Sequence, residues 1–164
     1  MFMNRRQLAA LMIFAAALLV LLMSVVFYSQ QSALSKSCAP YGSVQECSKN
    51  GLDFSIFGFI LVLVLFASAY HVLSKSKEIT GRWAIISMVT ALLAYEVTEF
   101  AYLVSTYSYF YSSIGAVPQY AINAGYIGTG LAFIGGLLAL TARSSAATPK
   151  AAGRHRRAPR RRKR

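Results

Sequence analysis

The chain has 164 residues, 56% of them hydrophobic and 13% charged, with 17 Lys and Arg against 5 Asp and Glu. A water-soluble domain carries about 25% charged residues, so this balance excludes a DNA-binding globule, a secreted disulfide scaffold and a disordered chain. Gln7 to Ser35, Phe54 to Ser74 and Phe100 to Ala142 contain no charge, and each is as long as the roughly 20 apolar residues that cross a bilayer.

Taken in order, four transmembrane helices are expected over about Gln7 to Tyr28, Asp53 to Ser74, Trp83 to Thr106 and Tyr120 to Ala142. The fold class is therefore all-α, an integral membrane four-helix bundle over residues 1–143 followed by a tail over 144–164. The first span reads as an anchor rather than a cleaved signal peptide, because Leu8 to Tyr28 exceeds the 7 to 15 residues of a signal core. Glu96 and Glu99 alone interrupt the third span, and Gly115 and Pro118 supply turn chemistry between the third and fourth. Aromatic residues at the span ends, among them Phe27, Tyr28, Phe54, Trp83, Tyr107 and Tyr120, suit the headgroup level. Arg5, Arg6, Lys75, Lys77, Arg82 and Arg143 lie on the side of the tail, whereas Lys36 and Lys49 lie on the other. With the tail included the basic count is 15 to 2, which predicts cytoplasmic N and C termini.

Cys38 and Cys47 fall in the expected outer loop, residues 29–52, with Pro40, Tyr41 and Gly42 between them. An oxidising compartment and a short loop predict a structural disulfide; neither a Cys-x-x-Cys pair nor a second pair is present for redox catalysis. Four spans, both ends inside and a two-cysteine first outer loop resemble the claudin and MARVEL-type four-span membrane proteins. The resemblance covers the layout of residues 7–142 and implies a tetraspan organiser. It is architectural: the claudin Gly-Leu-Trp motif is absent, Gln30 to Ser37 reading QQSALSKS, so barrier-forming strands are not implied.

Glu96 and Glu99 are the sharpest functional candidates, since an acid inside a span costs a few kcal/mol unless paired, and such acids mark functional sites. Their i, i+3 spacing sets both on one helical face, within reach of Tyr95 and Tyr102. His71 lies too near the cytoplasmic end to serve as a cationic partner. Antiparallel depth matching instead predicts Asn123 and Tyr126 beside Glu99, and Thr129 beside Glu96. Three roles remain open for this group: a structural clamp between the third and fourth helices, a contact to another subunit, and ion or proton transfer. On the fourth span Ala124, Gly128, Ala132 and Gly136 recur at i+4, a small-residue ridge suited to close helix packing within the chain or between subunits.

The tail ends in RHRRAPRRRKR, and too little apolar surface accompanies it to drive folding. Arg154, Arg156, Arg157, Arg160, Arg161, Arg162, Lys163 and Arg164 are expected to hold anionic lipid headgroups or an acidic partner, with nucleic acid disfavoured. Catalytic parts are few. His71 and His155 are the two histidines and Asp53 the single aspartate; Asp53 and His71 would stand at opposite ends of one helix, so no Ser-His-Asp arrangement forms within a subunit. Metal-ligand spacing and nucleotide glycine motifs are absent, and no cofactor is expected. The expected function is a non-catalytic multi-pass protein of the cell membrane that acts through helix packing as an accessory or assembly subunit of a larger membrane complex or as a tetraspan organiser, with other membrane subunits or further copies of itself as partners. The alternative is a small proton or ion conductor using Glu96 and Glu99.

Overall fold

The computed structural model describes the backbone of residues 4–38, 45–74, 76–111 and 117–144, and the side chains of residues 4–31, 53–74, 76–106 and 117–142. The described elements are four helices, α1 (Arg5–Cys38), α2 (Gln45–Val72), α3 (Lys77–Tyr111) and α4 (Gln119–Ser144). Each contains a segment long and apolar enough to cross a membrane: Arg5–Gln31, Asp53–Val72, Lys77–Thr106 and Gln119–Ala142. The all-helical, four-helix architecture expected from the sequence is thus the one the chain adopts.

Local chemistry sets where these helices start and stop. At the head of α1, the Arg6 backbone N–H donates to Asn4 Oδ1 at 3.4 Å, and Gln7 Oε1 accepts from the Asn4 N–H at 3.0 Å, a reciprocal cap that satisfies orphan donors of the first turn. Sequence reading ends the first span near Tyr28, but α1 runs on to Cys38. No Gly or Pro occurs between Ser29 and Ser37, and Pro40 and Gly42 are the first breakers. Similarly, α3 outruns its apolar core and reaches Tyr111, short of Gly115 and Pro118. Ser76 caps α3, accepting the Ile79 N–H on its Oγ at 3.4 Å. Pro118 precedes the first residue of α4, and its carbonyl accepts from the Ala121 N–H at 2.9 Å, a position where its missing N–H costs nothing.

The α2–α3 turn is tied down from two directions. Thr80, fully buried, directs Oγ1 to the carbonyl oxygens of Ser76, Ser74 and Val72 at 3.0, 3.3 and 3.5 Å. Arg6 Nη1 donates to the same Ser74 carbonyl at 3.2 Å, so the start of α1 is bound to the end of α2. Beside this turn His71 stacks on Trp83 with ring centroids 4.4 Å apart and planes 16° from parallel.

The helices form a ring in which α1 packs on α2 and α4, and α3 packs on the same two neighbours. Close van der Waals fit of small residues sets which helix faces meet. The buried face is mostly alanine, including Ala9, Ala16, Ala17, Ala84, Ala94, Ala101, Ala121, Ala132 and Ala139, with Ile13, Met23, Phe27 and Leu65 filling the wider levels. Away from the α2–α3 turn the bundle closes on rings: Phe54 stacks on Phe100 at 4.1 Å, and Phe27 meets Phe100 edge-on at 6.2 Å.

Candidate functional site

Among the described residues, three polar rungs join α3 to the antiparallel α4 and the two residues that lead into it. Ser87 Oγ donates to the Ala132 carbonyl at 3.1 Å, Tyr126 donates its hydroxyl to Glu99 Oε1 at 2.9 Å, and Ser105 Oγ donates to the Val117 carbonyl at 3.1 Å. The Glu99 rung lies towards the outside of the ring, for Glu99 is half-buried, with Tyr95 and Tyr102 exposed on either side of it. The Tyr95 and Tyr126 rings are 5.8 Å apart, and the Tyr95 hydroxyl interacts with the same Glu99 carboxyl.

Glu96 points away from the bundle and is exposed. Among the described residues it makes no hydrogen bond or ion pair; the ion pair found there is Arg82 with Glu78 at 2.6 Å, both exposed near the start of α3. At 1.5 Å rise per residue Glu96 stands ~28 Å beyond Lys77 and ~15 Å short of Thr106, within the segment long and apolar enough to span a membrane. Four apolar helices therefore present a carboxyl to the surroundings at a depth where hydrocarbon would meet it.

The residues matched to these acids by depth part company. Tyr126 meets Glu99 as expected. Asn123 is exposed on the same outer face but accepts on Oδ1 from Gln119 Nε2 at 3.0 Å. Thr129 is 93% buried and donates its hydroxyl to the Tyr126 carbonyl at 2.8 Å, a bond within α4 rather than one to Glu96. Depth alone had paired Thr129 with Glu96; the carbonyl one turn back on its own helix takes the hydroxyl instead.

The rotation of α4 divides the small-residue ridge. A Cβ added at Gly128 would lie 3.1 Å from the Ala16 carbonyl of α1, whereas one at Gly136 would lie 2.9 Å from the Ala84 carbonyl of α3. Ala124 and Ala132 are buried too, so the ridge serves contacts inside the chain. Gly130, outside that ridge, differs: among the described residues no atom beyond its own helix backbone lies within 4 Å of an added Cβ. It opens a shallow cavity of about 250 Å³ on the outer side of α3 and α4, lined by Ala91, Leu92, Thr129, Gly130, Phe133 and Ile134. Leu92 and Glu96 are one turn apart on α3, as are Tyr126 and Gly130 on α4, so cavity and acids share one face. The periodicity of one helix does not reveal which neighbours are absent, so the sequence does not single out Gly130. A larger apolar groove, about 740 Å³, runs between α1 and α2 near the α2–α3 turn, lined by Ala10, Leu11, Phe14, Phe66 and Tyr70 among others; nothing in the sequence signalled it.

Cys38 is the last residue of α1 and Cys47 the third of α2, and their side chains lie outside the described residues. The basic tail from Arg154 to Arg164 lies outside them as well. Comparison with known protein families, curated proteins and solved structures finds no match to this chain.

Proposed function

We propose that the protein is a non-catalytic four-span membrane subunit that works by packing against other membrane proteins, as an accessory or assembly subunit of a larger complex. The observation that carries this reading is the outward Glu96 beside the Glu99–Tyr126 pair. A polar group on the rim of an apolar bundle gains most when a partner covers it, since lipid offers it neither charge nor hydrogen bonds. In the proposed arrangement both termini are cytoplasmic in the cell membrane, the polybasic tail rests on anionic headgroups, and a Cys38–Cys47 bridge closes the outer side. The layout accords with a tetraspan organiser of claudin or MARVEL type. An ion path through the bundle has less to draw on, because Glu96 leaves the ring and the buried face is dominated by alanine.

The test is purification from the native membrane in mild detergent, with cross-linking before solubilisation. Co-purifying membrane proteins in fixed proportion support an assembly subunit. Monomers alone, at membrane-like density, overturn it.

A further inference from the structure

The outward face of α3 and α4 combines three things: an exposed acid with no cation among the described residues, a half-buried acid held by a tyrosine, and an open apolar notch one turn away. Resting on the assembly reading above, we propose that this face seats one transmembrane helix of a different protein, and that this helix carries a Lys or Arg side chain inside the membrane. Charge complementarity identifies the occupant. From Trp83 to Ala142 the chain contains no Lys, Arg or His, and neither do Leu8 to Ser35 and Phe54 to Tyr70. A second copy docked through this face would therefore offer acids and tyrosines to Glu96 and Glu99, and like charges at close range repel. A foreign helix with one ammonium or guanidinium at that depth neutralises the acid and is itself neutralised, which removes the penalty each partner bears alone in hydrocarbon.

The notch supplies the fit. Gly130 removes a side chain from the centre of the face, where Leu92, Phe133 and Ile134 form the walls. A helix crossing there approaches the α4 backbone closely, as small residues at membrane interfaces allow. Glu96 then lies one turn further along, so the basic residue of the partner belongs about one turn from its closest approach to Gly130.

The experiment uses the full chain in phosphatidylcholine nanodiscs and two labelled probes: a 24-residue leucine-based transmembrane peptide with one central Lys, and the same peptide with Leu at that position. Energy transfer from a label on α2 reports binding. The Lys peptide is expected to bind about tenfold more tightly than the Leu peptide. Glu96→Gln should erase that preference, and Gly130→Leu should weaken both peptides, each variant keeping the thermal unfolding midpoint of the unaltered chain. Equal binding of the two peptides to folded protein overturns the proposal, as does self-association of the chain that is lost in Glu96→Gln, or a proton leak abolished by that variant. The assembly reading is judged separately: native partners that persist on Glu96→Gln leave it standing on another face while this proposal falls, whereas Lys-selective binding with no native partner keeps the surface chemistry and removes the assembly role.

Discussion

Tyr126 on α4 donates its hydroxyl to Glu99 on α3 across 2.9 Å, and this pair is the polar rung between two others built from serine hydroxyls and main-chain carbonyls. The central rung joins side chain to side chain, so either partner can be deleted without altering the backbone. Tyr126→Phe and Glu99→Gln should each lower stability by about 1 kcal/mol, in the range found for interhelical hydrogen bonds in membranes. The double variant should cost less than the sum of the two. Reversible unfolding in mixed micelles measures all four corners of the cycle, and additive losses would contradict the pairing.

Glycines six positions apart on α4 should respond oppositely to one methyl group. Gly136→Ala places a Cβ 2.9 Å from the Ala84 carbonyl; a backbone atom cannot swing aside, so a loss of about 1 to 3 kcal/mol is expected. Gly130→Ala meets nothing and should be neutral or stabilise by up to about 1 kcal/mol through helix propensity. Thermal unfolding of the two variants side by side decides this, and equal destabilisation would refute it.

Ser24 is fully buried, and among the described residues its Oγ has no hydrogen-bond partner. A Cβ at Gly58 would lie 2.6 Å from that same oxygen and 3.3 Å from the Ser24 Cβ. Ser24→Ala should therefore be neutral or slightly stabilising. Gly58→Ala should cost about 1 kcal/mol in the unaltered chain and much less in the Ser24→Ala background. A loss that does not change between the backgrounds would show that the crowding lies elsewhere.

At the α2–α3 turn, Thr80 Oγ1 and Arg6 Nη1 converge on the Ser74 carbonyl. Thr80→Val keeps the shape and removes the hydroxyl, with an expected loss of about 1 kcal/mol. Arg6→Leu should be milder, and the two losses should fail to add by about 0.5 kcal/mol or more because they share an acceptor. Strict additivity in unfolding measurements would separate the two contacts.

On the proposed membrane orientation, replacing all tail Lys and Arg by Gln should leave topology intact, because Arg5, Arg6, Lys75, Lys77 and Arg82 still outnumber Lys36 and Lys49. Binding of the tail to anionic vesicles should fade as salt shortens the screening length from about 10 Å at 0.1 M to about 3 Å at 1 M. Cysteine accessibility mapping and vesicle sedimentation provide the two readouts; an inverted C terminus, or vesicle binding that salt does not alter, would count against this picture.

Much of the architecture is legible because uncharged runs of bilayer length leave few alternatives, and the Tyr126–Glu99 rung follows from antiparallel depth matching alone. Rotation about each helix axis is less legible. Gly125, Gly128, Gly130, Gly135 and Gly136 look alike along α4, yet Gly128 abuts α1, Gly136 abuts α3 and Gly130 abuts nothing. The distinction depends on α1 occupying one flank of α4, a contact between segments far apart in the chain that local periodicity does not encode. Helix ends were equally hidden: α1 outlasts its apolar core because the following polar residues remain compatible with a helix until Pro40.

The seam between α1 and α4 has a consequence for biogenesis. Ala9, Ile13, Ala16 and Val20 line the flank of α1 that receives Gly128 and Gly135, and the matching helix is the last of the four to be synthesised. On the proposed membrane insertion, that flank of two alanines, an isoleucine and a valine has no cognate occupant while α2 and α3 enter the bilayer. Ribosome-bound intermediates that end before Gln119 should accordingly dwell beside membrane insertion factors or chaperones, and emergence of α4 should release them.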